Sequence, residues 1–268
     1  MYSYFVHDII LKREIELNEL TKAAQHALAP DAAPLRFAAQ VKRKPLARIQ
    51  EGASDSNRMD TIEKLIQRVR KTQHGFLDIQ KAADEVVAGH SAKESLRIAK
   101  QLFASEIYQV RSLATFILGR LAANSKESLD FLKRRVSQDN DWRVQEILAK
   151  AFDRYCADVG YEQALPVIKE WLADSSPNVR RAVTEGLRIW TGRPYFQDHP
   201  EVAIQLLSQL RNDESEYVRK SVGNALRDIS KRHKELVEIE LQRWDIANKR
   251  VAQTHKLASR FFSDKGSG

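Results

Sequence analysis

The stretch "DWRVQEILAKAFDRY", residues 141–155, decides the fold. Counted from Val144, the apolar residues Ile147, Leu148, Ala151 and Phe152 lie three, four, seven and eight places on, which is one buried face of a helix. The same pattern returns in "IYQVRSLATFILGRL" (107–121), "PNVRRAVTEGLRIW" (177–190) and "EYVRKSVGNALRDIS" (216–230). Aligned on Val110, Val144, Val179 and Val218, the copies are 34, 35 and 39 residues apart. The insert "TGRPYFQ" (191–197) accounts for the longest step. A period of this size indicates stacked helical hairpins.

Between the anchored helices lie partners with the same periodicity: 126–136, 161–173, 199–210 and 234–244. Asp139, Asp174 and Asp213 each stand five residues before an anchor, in the turns, where a carboxylate accepts hydrogen bonds from free helix N–H groups. Ser176 followed by Pro177 reads as an N-cap and a first helical residue. Less regular helices are expected at 58–71, 76–88 and 92–104. The fold class is all-α, an α-solenoid or superhelix. Three parts are expected: 1–57, a helix (2–27) and a basic, Pro-containing linker; 58–245, the repeat domain; and 246–268, a basic tail ending in a disordered "SDKGSG".

Composition agrees. The 268 residues are 43% apolar, and ten Gly and seven Pro are few. The single cysteine, Cys156, excludes an intramolecular disulfide framework and fits a reducing, cytoplasmic setting. No signal peptide is expected, and no apolar run approaches membrane-spanning length. Lys and Arg total 44 against 36 Asp and Glu, for a net charge of +8. That excess admits an anionic partner without specifying one.

Positions two, six and nine past each anchor turn away from the core at 3.6 residues per turn. They are Ser112, Phe116 and Gly119; Glu146, Lys150 and Asp153; Arg181, Glu185 and Arg188; Lys220, Asn224 and Arg227. With Arg180, Arg219 and Lys231 beside them, this surface grows basic toward the C-terminal repeats and suits a phosphate backbone. Two readings of Arg111, Arg180 and Arg219 stay open: DNA contact, or pairing with the turn carboxylates Asp139, Asp174 and Asp213. Gly223 is equally open between close ligand approach and packing of neighbouring helices.

Glu146 is the acidic residue among the four positions two beyond an anchor, and Trp142 lies one turn before it. A carboxylate in a cationic surface stabilises positive charge developing in bound DNA, as in the oxocarbenium-like transition state of glycosidic cleavage. The aromatic ring suits contact with a deoxyribose or a base. The alternative is structural: Glu146 pairs with Arg143 or Lys150, and Trp142 caps the core. Trp171, Trp190 and Trp244 are expected in the core, and Arg36, Lys42, Arg43, Lys44 and Arg48 in a solvated linker.

The segments "DWRVQE", "NVRRAVTEGLR" and "ESEYVRKSVGNALRDISK" resemble the bacterial DNA alkylation repair glycosylases of the AlkC/AlkD type, which are built from HEAT-like repeats. The resemblance covers about residues 95–245. It implies an α-solenoid of HEAT-like helical hairpins whose concave face binds double-stranded DNA, and removal of purines alkylated at N3 or N7. It implies that Trp142 and Glu146 mark the active site, with Glu where AlkD-like members carry Asp, and that Arg181 is their catalytic-cleft Arg. Their second cleft Trp, in a "GWALR" context, falls at Asn224 in "GNALR". "TEGLRIWTGRP" (184–194) matches the "SEGTRP" stretch of AlkC-like members.

The catalytic set is therefore Glu146, Trp142 and Arg181. The DNA-contacting set is Lys150, Arg180, Arg188, Arg219, Lys220, Asn224, Arg227 and Lys231. The seven His residues show no metal spacing, Cys156 has no activating partner, and there is no Gly-rich phosphate loop, so no metal and no cofactor are expected. The expected partner is double-stranded DNA carrying alkylated purines, bound by a monomer acting at the bacterial nucleoid without any membrane. The rival functions are a non-catalytic DNA-structure binder and a protein–protein scaffold.

Overall fold

The structure, a computed structural model, describes residues 55–72 and 76–263. The candidate helix at 2–27, the linker up to residue 54 and the end beyond residue 263 lie outside the described residues. Among the described residues all regular structure is helical. In chain order the helices are α1 (Asp55–Arg70), α2 (Leu77–Gly89), α3 (Ala92–Phe103), α4 (Tyr108–Leu121), α5 (Lys126–Arg134), α6 (Trp142–Val159) and α7 (Leu165–Leu172). Then follow α8 (Pro177–Gly186), α9 (Pro194–Asp198), α10 (Pro200–Ser208), α11 (Glu216–Ser230), α12 (Lys234–Gln242), α13 (Lys249–Ala258) and α14 (Arg260–Ser263). The array is an α-solenoid: α4, α6, α8, α11 and α13 pack each against the next.

Local chemistry starts these helices. Ser91, Ser125, Asp141 and Asn248 cap α3, α5, α6 and α13 by accepting backbone N–H bonds. Proline opens α8, α9 and α10, where its missing N–H costs nothing. Ser176 stands at the N-cap position of α8, but its side chain caps nothing; its N–H instead donates to Asp174 Oδ1 at 2.8 Å. All four anchor valines are buried, each contributing about 1.5–3 kcal/mol by leaving water. Trp171, Trp190 and Trp244 are core residues, with the Trp171 ring 4.5 Å from Phe152 and tilted 36° to it and Trp190 edge-on to Phe196 at 5.0 Å.

One polar device repeats with the helices. Arg111, Arg180 and Arg219, each one place past its anchor, donate from Nη1 to the carbonyl six residues earlier, at Ser105, Asp174 and Asp213. The fork then reaches the next repeat: Arg111 binds both oxygens of Asp139 at 2.6 and 3.1 Å, and Arg180 both oxygens of Asp213 at 2.7 and 2.8 Å. Each of these carboxylates also accepts the N–H two residues on, at Asp141 and Ser215. In the second repeat the position is Gln145, which binds its own turn at Val136 and Asp139 but carries no charge. Asp174 is paired instead by Lys133, at 3.1 Å. Arg111 and Arg180 thus pair with turn carboxylates of the next repeat, whereas Arg219 meets no carboxylate there and binds its own turn and Gln253 Oε1.

Small residues set the distance between stacked helices. A Cβ added to Gly119 would meet Ala151 Cβ at 2.7 Å, one at Gly186 would meet the Ala149 carbonyl at 2.4 Å, and one at Gly223 would meet Leu257 Cβ at 2.6 Å. Gly223 therefore serves helix packing. Thr115, Ala149 and Thr184, at the equivalent position, are buried too, and Ser221 Oγ donates to Thr184 Oγ1 across the α8–α11 seam at 2.7 Å.

Four expectations change. The outward row of the first unit, Ser112, Phe116 and Gly119, is buried, because α4 is enclosed by α1, α2, α3, α5 and α6. The helix expected over 177–190 ends at Gly186: Trp190 folds back into the core, and Arg193 Nη2 takes the freed carbonyls of Gly186 and Arg188 at 3.3 and 3.4 Å. The segment read as a basic tail forms α13, packed on α11, with Val251, Thr254 and Ala258 buried. Its core positions include a threonine, whose hydroxyl donates to the Arg211 carbonyl at 2.8 Å, and an alanine, so hydrophobic periodicity is faint there. At the other end, α1 begins at Asp55 rather than at 58.

Candidate functional site

The face two places past the anchors survives from α6 onward. Glu146 on α6 and Arg181 on α8 meet there: Arg181 Nη2 donates to Glu146 Oε1 at 2.5 Å. Both keep solvent access, at 16% for the Glu146 side chain and 22% for Arg181. The partner of Glu146 is therefore on the neighbouring repeat, not Arg143 or Lys150 of its own helix. One turn earlier, Trp142 opens α6 with 59% of its surface exposed, so it does not cap the core.

From this pair an alternating row of charge runs across three helices. Glu185 lies one turn beyond Arg181; Arg188 Nη1 stands 3.6 Å from Glu185, while its Nε donates to Asp228 Oδ2 on α11 at 2.9 Å. Asp228, with a side chain only 5% exposed, also meets Lys231 Nζ at 3.1 Å and Arg227 Nη2 at 3.7 Å. Four cations thus face three carboxylates. Burial works against charge on Arg181, but Glu146 and Glu185 outweigh it and hold the guanidinium above its ordinary range. Arg188 behaves likewise through Glu185 and Asp228. Burial disfavours the Asp228 carboxylate too, yet Arg188 and Lys231 pull its pKa below the usual value.

The other expected DNA contacts divide. Arg180 and Arg219 are held inside the fold: Arg180 by Asp213 and its own turn, Arg219 by its turn and by Gln253 at 2.8 Å. Lys220 is exposed and bridges Glu216 along its helix at 2.6 Å. Lys150 is half-buried, and Asn224 is buried at 6% exposure. Asp153, expected on the outward face, is bound by Arg193 at 2.7 Å and by the Tyr161 hydroxyl at 3.0 Å. Sequence reasoning gave no role to Glu185, Asp228 or Arg193. The signal for Asp228 is that it follows Arg227 near the end of the last basic helix; nothing in the local pattern says it turns inward to gather three cations. Among the described residues no group of His, Cys, Asp and Glu is placed to hold a metal ion, and no helix is long and apolar enough to cross a membrane. Cys156 is buried, and that burial pushes its thiol pKa up.

The model of the family described as DNA alkylation repair enzyme matches residues 50–260. The chain belongs to this family. AlkD2 from Streptococcus mutans is 47% identical with a TM-score of 0.74, over 76% of this chain and 98% of that one. The alkylpurine DNA glycosylase AlkC of Pseudomonas fluorescens, solved bound to DNA containing an abasic site analog, is 27% identical with a TM-score of 0.43, over 79% of this chain and 64% of that one. The uncharacterized protein YhaZ of Bacillus subtilis is 36% identical over 87 residues, which span 31% of this chain and 24% of YhaZ. The family supplies DNA alkylation repair as the function class.

Proposed function

We propose that this protein is a DNA glycosylase that excises N3- or N7-alkylated purines from double-stranded DNA. The observation that carries the proposal is the Glu146–Arg181 pair beside the exposed Trp142. Such purines already bear positive charge, so the leaving base needs little acid assistance. The demand falls on the sugar, which becomes oxocarbenium-like. Arg181 binds Oε1 and fixes the carboxylate, and a preorganised charge of this kind needs no reorganisation as the sugar becomes cationic. Trp142 lies one helical turn away, in reach of the same nucleotide. Arg188, Arg227 and Lys231 contact the DNA backbone, Lys220 flanks them, and no cofactor takes part.

The test is release of 7-methylguanine or 3-methyladenine from methylated duplex DNA by the pure protein. Glu146→Gln should abolish release and leave DNA affinity equal or higher, because Arg181 loses its carboxylate partner. A second reading, a DNA-structure binder without catalysis, is favoured by one observation: Asn224 is buried and offers no ring where the resemblance puts a second cleft tryptophan. It predicts tight, salt-sensitive binding with no base release.

A further inference from the structure

Tyr108 opens α4 and Trp142 opens α6. Both stand two places before their anchor valines, so they occupy equivalent positions on neighbouring stacked helices. Arg143 lies between them. Its guanidinium carbon is 3.4 Å from the Tyr108 ring centroid and 5.8 Å from that of Trp142. The guanidinium is forked on Asp141, with Nε to Oδ1 at 2.9 Å and Nη2 to Oδ2 at 2.7 Å. Arg143 thus packs on the Tyr108 ring and flanks Trp142 at the start of neighbouring stacked helices, with Trp142 59% exposed.

We propose that Tyr108, Arg143 and Trp142 form a stacking ledge for an unpaired nucleobase of bound DNA. The charge distribution selects the ligand. Asp141 neutralises Arg143 through two hydrogen bonds, so a phosphate gains little there and meets a carboxylate. A flat ring loses nothing to that carboxylate and gains dispersion and quadrupole contact with indole and guanidinium. The ledge lies one helical turn from Glu146, so a base displaced near the reacting nucleotide is within reach of it. This rests on the reading that the face binds DNA, and adds that the face senses loss of base pairing.

The experiment compares a duplex carrying a single-nucleotide bulge with the same duplex fully paired, for wild type, Tyr108→Leu, Arg143→Gln and Tyr108→Phe. Wild type should bind the bulged duplex about fivefold or more tightly, the low end of what one base–aromatic stack contributes. Tyr108→Leu and Arg143→Gln should lose that preference while keeping wild-type affinity for the paired duplex. Tyr108→Phe, which keeps ring and packing, should retain it. With 2-aminopurine as the bulged base, wild type should quench its fluorescence by stacking and the two disruptive variants should not. Equal affinity of wild type for both duplexes, or a preference that survives both disruptive substitutions, overturns the ledge while leaving DNA binding intact. Failure of wild type to bind either duplex overturns the DNA reading and the ledge together.

Discussion

Arg180 and Arg181 are adjacent in sequence and serve different ends. Arg180 sits one place past its anchor, where the helix turns it into the seam between repeats; Arg181 sits one place further and reaches the open face. The distinction rests on 100° of helix rotation, which the period of the apolar residues does make visible. What sequence does not make visible is the partner. Arg180's fork depends on a carboxylate 33 residues away, and the sequence reading left its role open. Asp213→Ala takes both carboxylate contacts from the part-buried Arg180 guanidinium and leaves it only the Asp174 and Ser175 carbonyls, which should cost about 1–3 kcal/mol of folding stability, read as a drop in the chemical denaturation midpoint. Lys220→Ala removes an exposed pair and should leave that midpoint where it is. Equal effects would mean the seam is not held this way.

At the scale of the helix, legibility depends on what fills the core positions. The helices α4, α6, α8 and α11 announce themselves because Val, Ile, Leu and Phe fill the buried rows. Helix α13 does not, because Thr254 and Ala258 do that work and read as surface residues. The early end of α8 was hidden too: Gly186 packs against backbone, and no pattern in "TEGLRIW" distinguishes that glycine from a flexible one. Gly186→Ala forces a Cβ to 2.4 Å from the Ala149 carbonyl oxygen, which cannot swing aside. The overpacking cost of about 1–3 kcal/mol exceeds the helix-propensity gain of about 1 kcal/mol, so thermal stability should fall. Helix α13 also carries His255, whose pKa burial lowers from its ordinary 6.5. The unfolded chain then takes up a proton first as pH drops below 6.5, so the contribution is intact above that value and is lost below it. The thermal midpoint should decline with acidification through this window, and His255→Gln should flatten that decline. A decline unchanged in the variant would contradict the assignment.

Across the whole molecule the sequence gives a count of cations, and the structure gives how they are compensated. Seven cations and Asn224 looked ready for a phosphate backbone; Arg180 and Arg219 are held inside the fold, and Arg188, Arg227 and Lys231 share Asp228. Duplex affinity should therefore fall with salt less steeply than the number of basic residues suggests. Asp228→Asn should release Arg227 and Lys231 from this carboxylate and leave Arg188 only its Glu185 contact, raise duplex affinity and steepen the slope of log affinity against log salt. An unchanged slope would mean that these cations do not meet DNA. The first of the four units of the expected face is missing for a related reason: α1 and α2 close over α4, an arrangement set by long-range packing that no local periodicity encodes.

The central claim is that Glu146, fixed by Arg181 and standing one turn from Trp142, stabilises a sugar that becomes cationic as an alkylated purine leaves. Single-turnover release of 7-methylguanine from a methylated duplex, wild type against Glu146→Gln at equal DNA occupancy, tests it most directly. The account predicts measurable release by wild type and a loss of about 100-fold or more in the variant, the scale at which a preorganised charged contact acts. Release that Glu146→Gln leaves unchanged, or no release by folded, DNA-bound wild type, contradicts it.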